Sequence, residues 1–190
     1  MTHPSSTTLA EALWSPPRAS SIPRAVFLAL AGSALIALSA RIQIPMWPVP
    51  VTMQTFAVLL ISLAFGSRLA LATVGVHLLQ GALGLPVFAG GGGLAYLAGP
   101  TGGYLISYLA IAFVVGRMGE SGWSRTVWGV TAAMLTGSAI IYLMGAGWLS
   151  LFVGLDKAVT LGILPFLLGD MLKAALAAAL LPASWALLRP

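Results

Sequence analysis

The sequence contains no cysteine and very little charge. Without cysteine, the chain forms no disulfide, iron–sulfur cluster or thiolate zinc site. Charged residues make up 7% of the 190 residues, whereas an ordinary soluble domain carries about a quarter. The scarcity of charge therefore excludes an ordinary soluble domain.

Apolar side chains are abundant instead, at 59% of the sequence, with a mean hydropathy of +0.99. This composition is typical of a protein embedded in a bilayer. At about 20 residues per span, the length allows about six transmembrane helices and no soluble catalytic domain. We therefore expect an all-α integral membrane protein with six transmembrane helices. The basic excess of nine Lys and Arg over four Asp and Glu forms no cluster, so nucleic acid is not an expected partner.

The chain divides by composition into a tail and a membrane domain. Residues 1–21 are rich in Ser, Thr and Pro without helical periodicity, which predicts a flexible cytoplasmic tail. Residues 22–190 are expected to form the six-helix membrane domain. No small-residue cleavage site follows the first apolar stretch, so it is predicted to be a retained helix. The six apolar stretches are 25–40, 51–65, 69–83, 103–115, 127–148 and 162–188.

Basic residues predict the orientation of the domain. With the N-terminus in the cytoplasm, six of the Lys and Arg fall on that side, and only Arg41 and Lys157 fall outside. Both termini are therefore predicted to be cytoplasmic in a multi-pass plasma-membrane protein. The uncharged segment 85–102 is broken by Pro86, Pro100 and four glycines, which predicts a non-helical connection at the outer surface.

Most polar residues fall on one side of this topology. A one-sided cluster describes a pocket, whereas a pore needs polar lining from face to face. The outer half of the membrane and its loops are expected to hold Gln43, Gln54, His77, Gln80, Tyr96, Thr101, Tyr104, Asp170 and Lys173.

Asp170 and Lys173 carry the sharpest signal, because two charges three residues apart share one face of the last apolar helix. Each costs about 2.5 to 3.5 kcal/mol at mid-membrane on insertion scales. The pair is either a self-neutralising lock between helices or an acceptor and a donor for a polar ligand, and we favour the ligand. Phe166 lies four residues earlier on the same face, where it can hold an apolar ring system.

Other motifs argue against an enzyme. His77 and Gln80 share a helical face, but a single histidine without further ligands is a poor metal site. The glycines at 90–93 lack the Gly-Lys-Ser/Thr end of a phosphate loop. The serine at Ser138 lacks a complete nucleophile signature. Neither ATP hydrolysis nor another catalytic activity, metal or cofactor is expected.

A stripe of small residues recurs every four positions on the first helix, at Ala25, Ala29, Ser33 and Ala37. Such a stripe allows another backbone to approach closely. Its partner is either an internal helix or another protein, and we favour another protein.

Four motifs in chain order resemble one known family. They are Pro50-x-Thr52-x-Gln54-Thr55, the run from Gly84 to Gly91, Gly99-Pro100-Thr101-Gly102-Gly103-Tyr104, and Gly169-Asp170-x-x-Lys173. Together they resemble the BioY family, the biotin-specific substrate-binding S component of energy-coupling factor (ECF) transporters. The resemblance covers residues 22–189.

The resemblance implies a six-helix fold with an outward pocket that captures biotin with high affinity for uptake. Asp170 and Lys173 would face the ureido ring, and Phe88, Phe166 or a tyrosine the thioether ring. Thr101, Tyr104 or loop amides would hold the carboxylate. The expected ligand-binding set is Asp170, Lys173, Gln80, Gln54, Phe88, Tyr96, Thr101, Tyr104 and Phe166.

The resemblance also implies partners. A transmembrane coupling subunit with a pair of ATPases would supply the energy, and Ala25, Ala29 and Ser33 would dock the coupling subunit. The alternative reading is a solitary facilitator or channel for a small solute, and the third is a membrane-embedded enzyme.

Overall fold

The chain is almost entirely helical in the computed structural model, which describes residues 8–13 and 21–187. A two-stranded antiparallel hairpin, β1 (Gln43–Ile44) and β2 (Val51–Thr52), precedes the third helix. A 3-10 turn, Trp123–Arg125, lies between the sixth and seventh helices. Within the described residues the helices are α1 (Leu9–Leu13), α2 (Ser21–Ser39), α3 (Gln54–Phe65), α4 (Ser67–Ala82), α5 (Leu94–Leu97), α6 (Gly102–Glu120), α7 (Val127–Val153), α8 (Leu155–Gly162) and α9 (Leu164–Leu187).

Helix length and hydropathy define the membrane-crossing elements. Four segments of the described chain are long and apolar enough to cross a bilayer: Ile22–Ser39, Gly102–Glu120, Val127–Val153 and Leu155–Leu187. Helices α3 and α4 have 12 and 16 residues, so at about 1.5 Å per residue they are shorter than the hydrocarbon core. They complete the expected set of six, and the all-α membrane fold is confirmed.

Two glycines set helix boundaries, one where the apolar stretches predicted a break and one that they did not predict. Gly66 separates α3 from α4 with φ 78°, and Gly154 separates α7 from α8 with φ 82°. Side-chain-bearing residues rarely adopt this left-handed region, so glycine permits both tight turns. The second turn gives α7 five more residues than the predicted stretch ending at 148.

The structure differs from the expected flexible tail at residues 8–13. Thr8 and Glu11 cap α1 reciprocally, each backbone N–H donating to the other side chain at 3.3 Å. Leu9 is buried in the core, and the Arg24 guanidinium donates to the Ala10 carbonyl. These residues therefore pack on the membrane domain, and the rest of the predicted tail lies outside the described residues apart from the Ser21 backbone.

Helix α6 contacts α3, α4 and α7 and forms the centre of the packing. Its glycines allow this closeness: a Cβ added at Gly116 would lie 2.5 Å from the Ser67 Cα, and one at Gly119 would lie 2.4 Å from the Leu63 carbonyl oxygen. Small residues at such contacts let transmembrane backbones meet. These two glycines hold the α3–α4 turn against α6.

The small-residue stripe of α2 packs inward, which corrects the expectation that it docks another protein. Ala29 and Ser33 are buried at 5% and 0% exposure, and a Cβ added at Gly32 would lie 2.7 Å from Thr73 Cγ2 on α4. Of the three residues predicted to meet a partner, only Ala25 is exposed. The four-residue spacing did identify a close helix contact, but its partner is α4.

Candidate ligand-binding site

Polar and aromatic side chains from several elements surround one small cavity of about 20 Å³. The loop before β2, the start of α3, the segment before α6, α6 itself and the start of α9 all contribute. Five of the nine predicted ligand-binding residues lie in its wall. The lining comprises Val49, Pro50, Thr52, Gln54, Thr55, Ala89, Tyr96, Thr101, Tyr104, Leu105, Tyr108 and Phe166.

Tyr104 and Phe166 form one aromatic wall of the cavity. Their rings stack with centroids 6.0 Å apart and 15° between planes. The Tyr104 hydroxyl donates to the Gly162 carbonyl at 2.8 Å, which ties α6 to the last residue of α8. Because that proton is engaged, Tyr104 offers the cavity a ring face.

Tyr96 lines the cavity and is supported from behind by Phe88. These rings stack at 5.5 Å with 21° between planes, and the Gly90 N–H donates to the Tyr96 hydroxyl at 3.1 Å. Phe88 is fully buried and meets His77 edge-on at 5.6 Å. Phe88 therefore lies one layer behind the cavity instead of in its wall, which differs from its predicted contact with the ligand.

Gln54 brings a polar side chain to the base of the cavity. It is 2% exposed, and its Nε2 lies 2.9 Å from His77 Nε2 on α4. Gln80, one turn after His77, lies outside the cavity lining. Its Oε1 accepts from the Ser33 hydroxyl at 2.6 Å. The structure thus assigns Gln80 to the α2–α4 contact, which corrects its predicted place among the ligand-binding residues.

Asp170 and Lys173 form a buried ion pair within α9. Lys173 Nζ lies 2.9 Å from Asp170 Oδ1, and the side chains are 7% and 13% exposed for Lys173 and Asp170. Two α7 hydroxyls donate to Asp170 Oδ2, Tyr142 at 2.6 Å and Ser138 at 3.5 Å. Both charges are therefore neutralised locally, as a charge in an apolar wall requires.

Thr55 connects this ion pair to the cavity. Lys173 Nζ donates to the Thr55 Oγ1 at 2.9 Å, and Thr55 lines the cavity wall. An ammonium carries three donors, of which the ion pair and Thr55 use two. The Lys173 ammonium therefore lies behind the cavity wall at Thr55. Asp170 lines a separate groove of about 840 Å³ between α7 and α9. A polar ligand that reached the pair would find one acceptor and one donor.

The structure also identifies three site residues that the sequence reasoning missed. Tyr108 lies one helical turn after Tyr104 in the cavity wall, so the i, i+4 spacing on α6 contained a signal for it. Tyr142 is a polar residue within the apolar α7 and bonds Asp170. Thr55 belongs to a motif that we quoted, but only the fold shows its contact with Lys173. Among the described residues, no three His, Asp or Glu side chains converge into a metal site.

The fold and the site define a multi-pass helical membrane protein with a ligand cavity at one end of its helices. The BioY family model matches residues 9–190, and the chain belongs to the BioY family. It is 43% identical over 145 residues to the probable biotin transporter BioY of Pyrococcus horikoshii, covering 76% of this chain and 85% of that protein. It is 40% identical over 148 residues to the biotin transporter BioY of Thermotoga maritima, covering 77% and 86%.

A solved structure shows the same fold. The S-component for biotin from an ECF-type ABC transporter aligns with a TM-score of 0.75 and 25% sequence identity. The alignment covers 89% of this chain and 94% of that one. The resemblance inferred from the four sequence motifs is thereby confirmed.

Proposed function

We propose that this protein is the substrate-binding membrane subunit that captures biotin for uptake. The observation that carries the proposal is the buried pair Asp170 and Lys173, linked through Thr55 to an aromatic cavity. The BioY relatives named as biotin transporters support the same substrate. The role is binding and transport, without catalysis.

The chemistry of the site suits the parts of biotin. The ureido ring carries two N–H donors and one carbonyl acceptor, which complement the carboxylate of Asp170 and the ammonium of Lys173. The stacked faces of Tyr104 and Phe166 suit the apolar thioether ring. Thr101, at the N-terminus of α6, is the candidate donor to the valerate carboxylate.

Binding requires the cavity to widen. Pockets for small ligands occupy about 300 to 1,000 Å³, whereas this cavity measures about 20 Å³. Two non-helical segments contribute to its wall, through Val49 and Pro50 before β2 and through Ala89 before α5. Movement of these segments opens the site without separating α6 from α3 and α7. We infer that they are the gate through which biotin enters.

The energy for uptake comes from other subunits in this proposal. The chain has no phosphate loop, and its structural neighbour is the S-component of an ECF-type ABC transporter. A transmembrane coupling subunit with two ATPase subunits would complete the module. Since Ala29 and Ser33 are buried, docking would use the outward face of α2, where Phe27 and Leu30 are exposed.

Both termini are proposed to be cytoplasmic, so the cavity faces outward. Arg68 and Arg117 lie at the end of the helices opposite the cavity, which agrees with the positive-inside bias. Single cysteines test this in a cysteine-free chain. Ser121→Cys should react with impermeant thiol reagents only from the cytoplasm, and Leu155→Cys only from outside. The reverse pattern would contradict the proposed orientation.

Reconstitution separates this function from its alternative, a solitary facilitator or channel. The purified protein alone should bind radiolabelled biotin tightly and saturably in detergent. In proteoliposomes without coupling subunits, labelled biotin should bind without accumulating in the lumen. Rapid equilibration of label into the lumen without tight binding would favour the facilitator.

A further inference from the structure

A separate cavity lies at the opposite end of the helices from the proposed biotin site, with a volume of about 430 Å³. Three arginines from three helices line it: Arg24 of α2, Arg68 of α4 and Arg117 of α6. We call it the arginine cavity. Arg117 lies 13 positions after Tyr104 on α6, which separates the two sites by about 20 Å at 1.5 Å per residue.

Among the residues that the structure describes, three arginines and two carboxylates, Glu11 and Glu120, line the arginine cavity, so its described wall keeps a net positive charge. Both have partners in the protein. Glu120 Oε1 accepts from the N–H and the hydroxyl of Ser67, each at 2.7 Å, and Oε2 lies 3.6 Å from Arg117. Glu11 caps α1. These carboxylates are therefore held in structural contacts and do not cancel the field of all three arginines.

Arg68 is the cation available to a ligand. Its side chain is exposed, and it has no hydrogen-bond or ion-pair partner among residues 8–13 and 21–187. It lies in the first turn of α4, where the helix dipole adds to its positive charge instead of offsetting it. An anion entering the cavity would meet a planar guanidinium suited to a bidentate contact with phosphate oxygens.

The remaining walls favour a lipid over a free ion. Leu28, Phe65 and Leu69 supply apolar surface inside the cavity. On the same face of α2, one and two turns beyond Leu28, Ala31 and Leu35 are exposed, Leu35 at 53%, and they continue this apolar surface toward the bilayer. A basic recess that continues into an apolar, lipid-facing helix surface matches a phospholipid, with phosphate at the arginines and tails along α2. The short helix α1 closes one side through Thr8, Ala10 and Glu11.

We propose that the arginine cavity binds the phosphate headgroup of an anionic phospholipid of the cytoplasmic leaflet. The site is independent of biotin recognition, because none of its lining residues touches the biotin cavity. Such a lipid would bridge α2, α4 and α6 at the end of the helices that carries α1. It thus acts as a structural ligand of the membrane domain.

The test compares the full-length protein in nanodiscs of phosphatidylcholine with and without phosphatidylglycerol. Retained lipid is counted by native mass spectrometry, and thermal unfolding is followed by tryptophan fluorescence. The parent should retain phosphatidylglycerol in preference to phosphatidylcholine and unfold at a higher temperature with it. Arg68→Gln should weaken retention about five-fold, as expected for one basic residue near a charged surface. Arg68→Lys should largely restore it.

Lys157→Gln is the matched control, since it removes the same charge from an exposed residue outside the cavity. It should leave lipid retention unchanged, and all three variants should bind biotin like the parent. Equal retention of both lipids by the parent, or an equal loss in Lys157→Gln, would overturn the proposal. Inorganic phosphate that stabilises the parent in phosphatidylcholine as much as phosphatidylglycerol does would identify a free-anion site and overturn the lipid assignment. A loss of coupling-subunit binding in Arg68→Gln without any change in lipid retention would also overturn the lipid assignment.

Discussion

Breaking the ion pair within α9 should weaken both the fold and biotin binding. In Asp170→Asn, Lys173 remains buried with only neutral partners, Thr55 and the new amide. In Lys173→Met, Asp170 keeps the hydroxyls of Tyr142 and Ser138 but loses its counter-charge. An uncompensated buried charge costs about 3 to 5 kcal/mol. Since neutral partners remain in each variant, the loss in free energy of unfolding should lie near the lower end of that range.

The effect on affinity follows from the same contacts. In the proposed binding mode each variant deprives one ureido group of its charged partner, at about 2 to 5 kcal/mol, so biotin affinity should fall at least about thirty-fold. The double variant leaves neither charge without its partner. Its loss in free energy of unfolding should therefore be about 1 to 3 kcal/mol smaller than the sum of the losses in the two single variants. Urea unfolding in detergent and titration calorimetry measure the two effects.

The chain contains its own control for these substitutions. Asp156 and Lys157 are an exposed acid and base at the start of α8. Asp156→Asn and Lys157→Met make the same chemical changes at the surface, where little stability depends on them. If Asp170→Asn and Lys173→Met both bind biotin as tightly as the parent, the pair is a structural lock and the reasoning is refuted.

Two further predictions test the packing. Ala29→Trp should unfold at a lower temperature and lose biotin binding, because Ala29 is buried in the contact of α2 with the other helices. Ala34→Trp, on the exposed face of α2, should keep the parent's unfolding temperature and biotin affinity. An Ala29→Trp variant that behaves like the parent would show that the small-residue stripe is not buried. Gly116→Ala should destabilise the protein by about 1 to 3 kcal/mol through its clash with the Ser67 backbone. Gly75→Ala, with no atom within 4 Å of the added Cβ, should be neutral or stabilising by up to about 1 kcal/mol. Equal effects of the two glycine substitutions in urea unfolding would contradict the close approach of α6.

The sequence predicted what depends on composition and local spacing. The apolar stretches gave the membrane helices, and the i, i+3 spacing placed Asp170 and Lys173 on one face. We favoured a ligand for that face, whereas the structure shows the two side chains paired with each other. Spacing did not reveal the partner of a helix face. It placed His77 and Gln80 on one helical face, but it did not show that His77 contacts Gln54 and that Gln80 contacts Ser33.

The same limit explains the errors at the N-terminus. Small residues on α2 signal a close backbone contact, but an internal helix and a foreign one require the same residue types. Helix α1 has five residues, too few to show periodicity, and its capping by Thr8 and Glu11 was obscured in a Ser- and Thr-rich segment. Contacts between distant parts of the chain decided both cases.

Biotin binding by this protein should need no other subunit. We expect calorimetric titration of the purified parent protein to show tight, saturable binding with one biotin per protein. In a folded Asp170→Asn variant that binding should weaken at least about thirty-fold. A folded parent protein that shows no saturable binding of biotin would contradict the proposed function.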